Sequence, residues 1–180
     1  MRVSVPESVP ERPDLSTAEV LLLRQVAGGH LIAAVSRATG IPEPDVTRSV
    51  DALLDRLGTR HRHRAAALGV GWGWVGRTDV PVLNPSGKAL SARPREVLTG
   101  LVAGEATEET AARLGLAEAT VRSYVQTIRV TLGVRSRPQA AARGLLAGIV
   151  PMSALGEGWP DITLGAVTAA ATDARLAGAR

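Results

Sequence analysis

The chain has 180 residues, a formal net charge of +4 and no cysteine, enough for one medium domain or two small ones. The missing cysteine excludes a disulfide scaffold, a thiol nucleophile and a cysteine zinc site. Because only 2% of the residues are aromatic, the core must come from Leu, Val, Ile and Ala, which packed helices accommodate better than a large β-sandwich. The sequence has neither a run of about 18 apolar residues nor an apolar N-terminal signal segment, so we expect a cytoplasmic protein without a membrane span.

A shift of 75 positions aligns residues 15–70 with residues 90–145 without a gap. The matched pairs include Leu23 with Leu98, Gly29 with Gly104, Gly40 with Gly115, Glu43 with Glu118, Arg60 with Arg135 and Arg62 with Arg137. Chance agreement in a chain rich in Ala, Leu and Gly is the alternative, but chance does not easily keep one register over so long a stretch. The sequence therefore predicts two copies of one structural unit.

The apolar spacing of the first copy predicts four short helices. Their expected positions are 17–27, 32–39, 43–57 and 62–68. Ser16 and Glu19 have the spacing of a capping box before the first of these helices. Pro42 stands near the start of the third helix, where a missing N–H costs little. Residues 71–87 contain several glycines and prolines and predict a linker.

The second copy repeats this plan. Ser91, Thr107 and Ser136 are the expected N-caps, and the third helix is expected at 118–132. Gly115 predicts a sharp turn between the second and third helices, and two short helices joined by a glycine turn are typical of a helix-turn-helix. The tail begins irregularly at residue 153, and we expect an Ala-rich helix at about 164–176.

Three spaced blocks of the second copy form a known pattern. They read LSARPREVL at 90–98, AARLGLAEATVR at 111–122 and LGVRSRPQA at 132–140. With the glycine at 104, they make residues 90–150 resemble the DNA-binding domain of the LuxR/GerE family, which the first copy resembles more loosely. The sequence departs from the family at Pro94 and Ala117, where residues that cap helices are usual.

The resemblance implies an all-α fold of two tandem four-helix helix-turn-helix domains, without a β-wing, joined by a Gly/Pro linker. We expect neither a receiver domain nor an autoinducer-binding domain in this chain, because the first copy takes the place that they usually occupy. The predicted organisation is a flexible N-terminus (1–14), a first, divergent helix-turn-helix domain (15–70), the linker (71–87), a second, LuxR-type domain (88–152) and the tail with its possible helix (153–180).

In a helix-turn-helix the second helix enters the major groove with its exposed face on the base edges. Arginine can bind guanine, and glutamine adenine, through two hydrogen bonds. The resemblance implies base contacts by Arg122, Ser123 and Gln126, and phosphate contacts by Thr120, Tyr124, Arg135 and Arg137, to which we add the outward-facing Arg129. An ordinary solvated helix face is the alternative interpretation.

The first copy is a weaker candidate for reading DNA. Asp51 and Asp55 face outward on its third helix, and phosphates repel acids. The residues that could still contact DNA are Thr47, Arg48, Arg60, Arg62 and Arg64. We therefore expect this copy to contact only the DNA backbone, or to serve as a dimerisation or polymerase-contacting surface. The net charge is +4 over residues 88–150 and +2 over residues 15–70.

These features predict a sequence-specific DNA-binding transcription regulator located in the bacterial cytoplasm at the nucleoid. Double-stranded DNA is the expected partner, and two half-sites would be spanned either by a homodimer or by the two copies as an internal pseudo-dimer. RNA polymerase is a possible further partner. We expect no enzyme activity, cofactor or metal. The alternative is a protein-interaction module, such as an anti-activator or a polymerase-binding factor, that kept the helix-turn-helix fold.

Overall fold

The computed structural model describes residues 10–83 and 85–164, which form eight α-helices and two short 3-10 helices without a β-strand. The α-helices are α1 (Thr17–Ala27), α2 (Ile32–Thr39), α3 (Glu43–Arg56), α4 (Arg62–Gly71), α5 (Ala92–Ala103), α6 (Thr107–Leu114), α7 (Glu118–Leu132) and α8 (Arg137–Leu146). The 3-10 helices are Arg77–Asp79 and Met152–Leu155. The predicted all-α class is confirmed. Residues 165–176 of the expected tail helix lie outside the described residues.

The helix ends follow local sequence signals in most places. The backbone N–H of Ser16 donates to the Glu19 carboxylate at 2.8 Å, and the Glu19 N–H donates to Ser16 Oγ at 3.3 Å. This reciprocal pair is the predicted capping box. Ser136 Oγ accepts from the N–H of Gln139 at 3.3 Å, as its predicted N-cap role requires.

Two predicted caps differ in the structure. Thr107 is the first residue of α6 rather than its cap, because the N–H of Ala106 is satisfied by the Glu109 carboxylate at 2.7 Å. Ser91 occupies the N-cap position of α5, but its side chain makes no capping hydrogen bond. Pro94, three residues later, has no side-chain acceptor for the Ser91 N–H, so a capping box cannot form. α4 also runs to Gly71, beyond the expected end at residue 68. Its last turns are buried, and packing outweighs the low helix propensity of glycine there.

The helices before and after residue 84 correspond in position. Each of α1–α4 begins 75 residues before its counterpart among α5–α8, and the two 3-10 helices begin at the same offset. The correspondence includes hydrogen bonds after α4 and α8: Val75 N–H donates to Gly69 O at 2.9 Å, and Val150 N–H to Gly144 O at 3.1 Å. We call residues 15–80 the first half and residues 90–155 the second half, and residues at this offset counterparts.

The two halves share one continuous hydrophobic core. α4 and α8 lie at its centre and pack against each other more extensively than any other pair of elements. Residues 65–67 of α4 and 140–142 of α8 are alanines without exposed surface. Such small side chains permit two helices to approach closely.

The segment between α4 and α5 packs against both halves. Trp74, Val75 and Val80 are buried within the shared core. The N–H of Leu83 donates to Gly133 O at 2.7 Å, and the N–H of Ser86 donates to Thr131 O at 3.2 Å, so this segment also contacts the end of α7.

Three tryptophans meet at one edge of the core. The Trp72 ring lies 5.4 Å from that of Trp74 and 5.7 Å from that of Trp159, in tilted arrangements that suit aromatic pairs. Residues preceding α1 contact this cluster: Trp72 Nε1 donates to Pro10 O at 3.1 Å, and the Arg12 guanidinium lies 4.6 Å from the Trp74 ring centre.

Candidate nucleic-acid interface

α6 and α7 are joined by a tight turn at Gly115. This glycine adopts φ +64°, a left-handed conformation that residues with a side chain rarely adopt, and its missing Cβ would meet open space. The N–H of Leu116 donates to Ala111 O at 2.9 Å and closes the turn. α6 with 8 residues and α7 with 15 residues therefore have the arrangement predicted for a helix-turn-helix.

One face of α7 is buried and the opposite face is open. The buried face consists of Val121, Val125, Ile128 and Leu132, as the spacing predicts. Arg122, Ser123 and Gln126 are all exposed. Since residues at i, i+1 and i+4 share one side of a helix, these three predicted base-contacting residues form a continuous solvent-facing patch.

The exposed side chains of α7 are partly ordered by each other. Arg122 Nη1 lies 2.9 Å from Glu118 Oε2, one turn earlier, in an exposed ion pair worth well under about 1 kcal/mol. Arg129 Nη1 donates to Gln126 Oε1 at 3.3 Å. Such weak surface contacts keep the guanidinium and amide groups on this face and can be exchanged for contacts to a ligand.

The predicted phosphate-contacting residues flank this patch. Thr120, Tyr124 and Arg129 are half-buried, and Tyr124 packs against the core. Arg135 is exposed just before α8, and its N–H donates to Gln139 Oε1 at 2.8 Å.

The first residue of α8 is also placed by a side-chain contact. Arg137 Nη2 donates to Thr107 Oγ1 at 2.9 Å, which joins the start of α8 to the start of α6. The N-terminus of α8 therefore carries two arginines at the positive end of the helix dipole, an arrangement that favours anions.

A polar cluster that was not predicted from the sequence supports α6. The Glu105 carboxylate accepts from Arg113 Nε at 2.6 Å and from Thr110 Oγ1 at 2.9 Å, and Thr110 is buried. Burial acts to raise the pKa of Glu105, but these hydrogen bonds and the Arg113 charge outweigh it and the pKa lies below its ordinary value. No sequence pattern predicts this cluster, because its members lie on both sides of the start of α6 and meet only in the folded chain.

The corresponding face of the first half carries different chemistry. Thr47 and Arg48 are exposed on α3, and Arg48 is paired with Asp45. Arg60 and Arg62 are exposed, and their side chains make no hydrogen bond or ion pair with any described residue.

Arg64, the remaining arginine of this run, points into the protein. Its guanidinium donates to Val102 O at 3.0 Å and to Leu155 O, both in the second half. Burial lowers the pKa of Arg64. We therefore leave Arg64 out of the proposed DNA contacts.

His63 is buried beside Arg64 at the junction of the halves. Its Nε2 lies 3.2 Å from Glu105 O, and because a carbonyl only accepts, this nitrogen carries the proton. Burial lowers the pKa of His63 to about 4, and the nearby His61 acts in the same direction. The hydrogen bond to Glu105 opposes the shift, whereas the charges of Arg137 and Arg64 add to it.

This pKa predicts that the protein loses stability in mild acid. The folded-state pKa lies below the ordinary value of 6.5, so between pH 6.5 and pH 4 the unfolded chain binds more protons than the folded chain. The contribution of neutral His63 to stability is therefore fully present above pH 6.5 and is lost as the pH falls towards 4. Between pH 7 and pH 5, His63 should lower the free energy of unfolding by about 1–2 kcal/mol. Urea unfolding at both pH values measures this difference. The His63→Gln variant should lose the dependence and the exposed His30→Gln should keep it; equal dependence in both would contradict the assignment.

Some classes of site are absent from the described part of the chain. Within residues 10–83 and 85–164, no three His, Asp or Glu side chains group as a metal site requires. None of the helices described there is both long and apolar enough to cross a bilayer.

Comparison with known proteins agrees with this geometry. Residues 88–143 match the family described as bacterial regulatory proteins, luxR family. The chain is 49% identical over 57 residues to the probable HTH-type transcriptional regulator GfsR of Streptomyces halstedii, covering 32% of this chain and 24% of that protein. It is 43% identical over 54 residues to the putative HTH-type transcriptional regulator YhjB of Escherichia coli (strain K12), covering 30% and 27%.

The extent of these similarities is limited to one domain. The chain spans about a quarter of the length of the two curated relatives. No solved structure matches it significantly. The family match nevertheless contains α5, α6 and α7 and most of α8, with the turn at Gly115 and the exposed face of α7. Residues 88–143 therefore form a helix-turn-helix domain of the LuxR family.

Proposed function

We propose that this chain is a sequence-specific DNA-binding transcription regulator whose helix α7 enters the major groove. One observation carries the proposal: Arg122 and Gln126 lie together on the exposed face of α7, opposite its buried stripe. Arginine and glutamine can each form two hydrogen bonds to a base edge, with guanine and adenine respectively. Ser123, between them on the same face, completes the proposed base-contacting set.

The cations around α7 suit the sugar–phosphate backbone. Arg135 and Arg137 lie at the N-terminus of α8, where their charges and the positive end of the helix dipole favour an anion. Arg129, Thr120 and Tyr124 lie along the flank of α7 and complete the proposed phosphate contacts. Such contacts hold a helix in register on DNA, while the base contacts provide the sequence preference.

The names of both similar proteins describe transcriptional regulators, and we extend that role to this chain. Regulation of transcription places the protein on chromosomal DNA in the cytoplasm. The proposal requires no cofactor and no catalytic group.

A protein-interaction module is the second candidate function. It is favoured by the first half, where Leu31 is 80% exposed at the start of α2 and α3 carries four acidic residues. An exposed large apolar side chain and a net acidic helix in the same half favour a protein contact over a DNA contact. A contact of this kind with RNA polymerase would be compatible with DNA binding by the second half.

Selection from a random duplex library with the full chain separates the two candidates. We expect the recovered fragments to share a base motif, and their affinity to fall steeply as salt rises from 50 to 200 mM, because several phosphate contacts release counterions. Fragments that resemble the input library at every salt concentration would contradict DNA reading and favour the interaction module.

A further inference from the structure

Contacts between the two halves occur in pairs. Where a residue of one half meets a residue of the other, the counterparts of these two residues also lie together. Arg64 of α4 lies over Gly104, where an added Cβ would stand 2.9 Å from the Arg64 Cδ. The counterpart of Arg64 is Gln139 of α8, and the counterpart of Gly104 is Gly29. An added Cβ on Gly29 would stand 2.8 Å from the Gln139 Cδ, so the same contact is made in both directions.

A second pair of residues that meet across the junction has counterparts that also lie at the junction. His63 of α4 reaches Glu105 O in the second half at 3.2 Å. The counterparts of these two residues are Pro138 and His30, which lie on the wall of a single cavity between the halves.

The side chains of Arg64 and Gln139 also make similar hydrogen bonds across the junction. Arg64 donates to Leu155 O in the second half, and Gln139 Nε2 donates at 3.4 Å to Pro81 O, one residue past the counterpart of Leu155. An interface in which residue i meets j and residue j also meets i is isologous and has a two-fold axis. The first half therefore stands where a second copy of the second half would stand in a symmetric dimer built on α8.

This arrangement occupies the surface that α8 would offer to another chain. α8 packs against α4 along the buried alanines of both helices. A two-fold dimer through α8 would require the first half to be displaced and its share of the common core to be exposed to water.

The same axis relates α3 to α7, but these two helices are not equivalent chemically. α3 has four acidic and two basic residues, net −2, whereas α7 has one acidic and two basic residues, net +1. Thr47 stands at the counterpart of Arg122, and Asp51 at that of Gln126. Acids next to phosphates are repelled, so α3 is unsuited to a major groove. Arg60 and Arg62 keep the positive charge of their counterparts Arg135 and Arg137.

We propose that one copy of this chain occupies its DNA site alone and that the site is asymmetric. α7 reads the bases of one half-site, while the first half contacts the neighbouring turn of DNA only through phosphates, with Arg60 and Arg62. This inference rests on the proposed function and names the form of the DNA that the regulator recognises. It decides between the two arrangements that the sequence left open, a homodimer and an internal pseudo-dimer.

The stoichiometry of the complex gives the first test. The full chain is mixed with a duplex of about 30 base pairs that carries the selected motif, and the complex is weighed by native mass spectrometry. We expect one chain for each duplex at every protein concentration up to saturation. Two chains on one duplex, bound cooperatively, would overturn the inference and leave the proposed function intact. Failure to bind any selected duplex would overturn both.

The symmetry of the motif gives the second test. Substituting each base pair of the site in turn should reveal a single block of sensitive positions, with losses of about 5- to 100-fold at each. The neighbouring turn on one side should show less than about twofold loss at every position. A palindromic motif with two equally sensitive blocks would overturn the inference.

Substitution of two arginines of the first half distinguishes phosphate contacts from base contacts. Arg60→Gln with Arg62→Gln should lower affinity for all sequences equally and reduce the slope of log affinity against log salt by about 2. The base motif should stay unchanged. An unchanged salt slope would show that the first half does not touch the DNA and would overturn this part of the inference.

Discussion

Replacing Arg122 and Gln126 together by alanine should abolish the preference of this protein for its selected DNA site. Each bidentate contact to a base discriminates by about 1–3 kcal/mol, so the double variant should lose about 2–6 kcal/mol of specific binding. Non-specific binding through phosphates should remain, because Arg135 and Arg137 are untouched. Titration of the selected duplex and of a scrambled duplex with the same composition measures both quantities.

The chain provides a matched control for this experiment at the counterpart positions of α3. Thr47→Ala with Asp51→Ala changes the corresponding pair of exposed side chains without altering a buried residue. This variant should keep the same base motif, and removal of an acid should not weaken binding. If the α3 variant lost the motif while the α7 variant kept it, the assignment of the reading helix would be wrong.

Much of the helical fold could be predicted because its signals are local. The capping box of Ser16 and Glu19 fixes the start of α1, and the glycine at 115 fixes the turn before α7. The buried spacing of Val121, Val125 and Ile128 also fixes which side of α7 faces water. The exposed positions of Arg122, Ser123 and Gln126 follow from that periodicity alone.

Features that depend on contacts between distant residues could not be predicted in this way. The sequence shows Arg60, Arg62 and Arg64 as one basic run, yet the first two are exposed and Arg64 is half-buried. Arg64 points inward because the carbonyls of Val102 and Leu155 lie across the junction, 38 and 91 residues further along the chain. Nothing in a local window distinguishes Arg64 from its neighbours.

The same limit applies to the arrangement of the two halves. The shift of 75 residues predicts that the halves share a plan, but it carries no information on how they pack. The mutual contacts of Arg64 with Gly104 and of Gln139 with Gly29 supply that information. They indicate that the two halves are related by an approximate two-fold axis near α4 and α8.

That arrangement predicts that Gly29→Ala destabilises the protein more than Gly40→Ala. Both glycines are left-handed, with φ +65° and +75°, so both variants share a backbone cost of about 1–2 kcal/mol. A Cβ at position 40 meets open space, whereas a Cβ at position 29 stands 2.6 Å from Ser136 Oγ. Ser136 caps α8 and cannot move without loosening it. Gly29→Ala should therefore lose a further 1–3 kcal/mol of the free energy of unfolding, about the cost of overpacking a core.

The second half offers the same comparison with Arg64 as the neighbouring residue. Gly104→Ala would meet the aliphatic stem of Arg64 at 2.9 Å, and Gly115→Ala would meet open space. Because the Arg64 Cβ also lies 3.0 Å away and the guanidinium is held by two carbonyls, Gly104→Ala should lower the free energy of unfolding more than Gly115→Ala does. Urea unfolding of the four variants measures both differences. If the two variants at the junction of the halves were no less stable than the two in open space, the halves would not pack as described, and a symmetric dimer through α8 would again become possible.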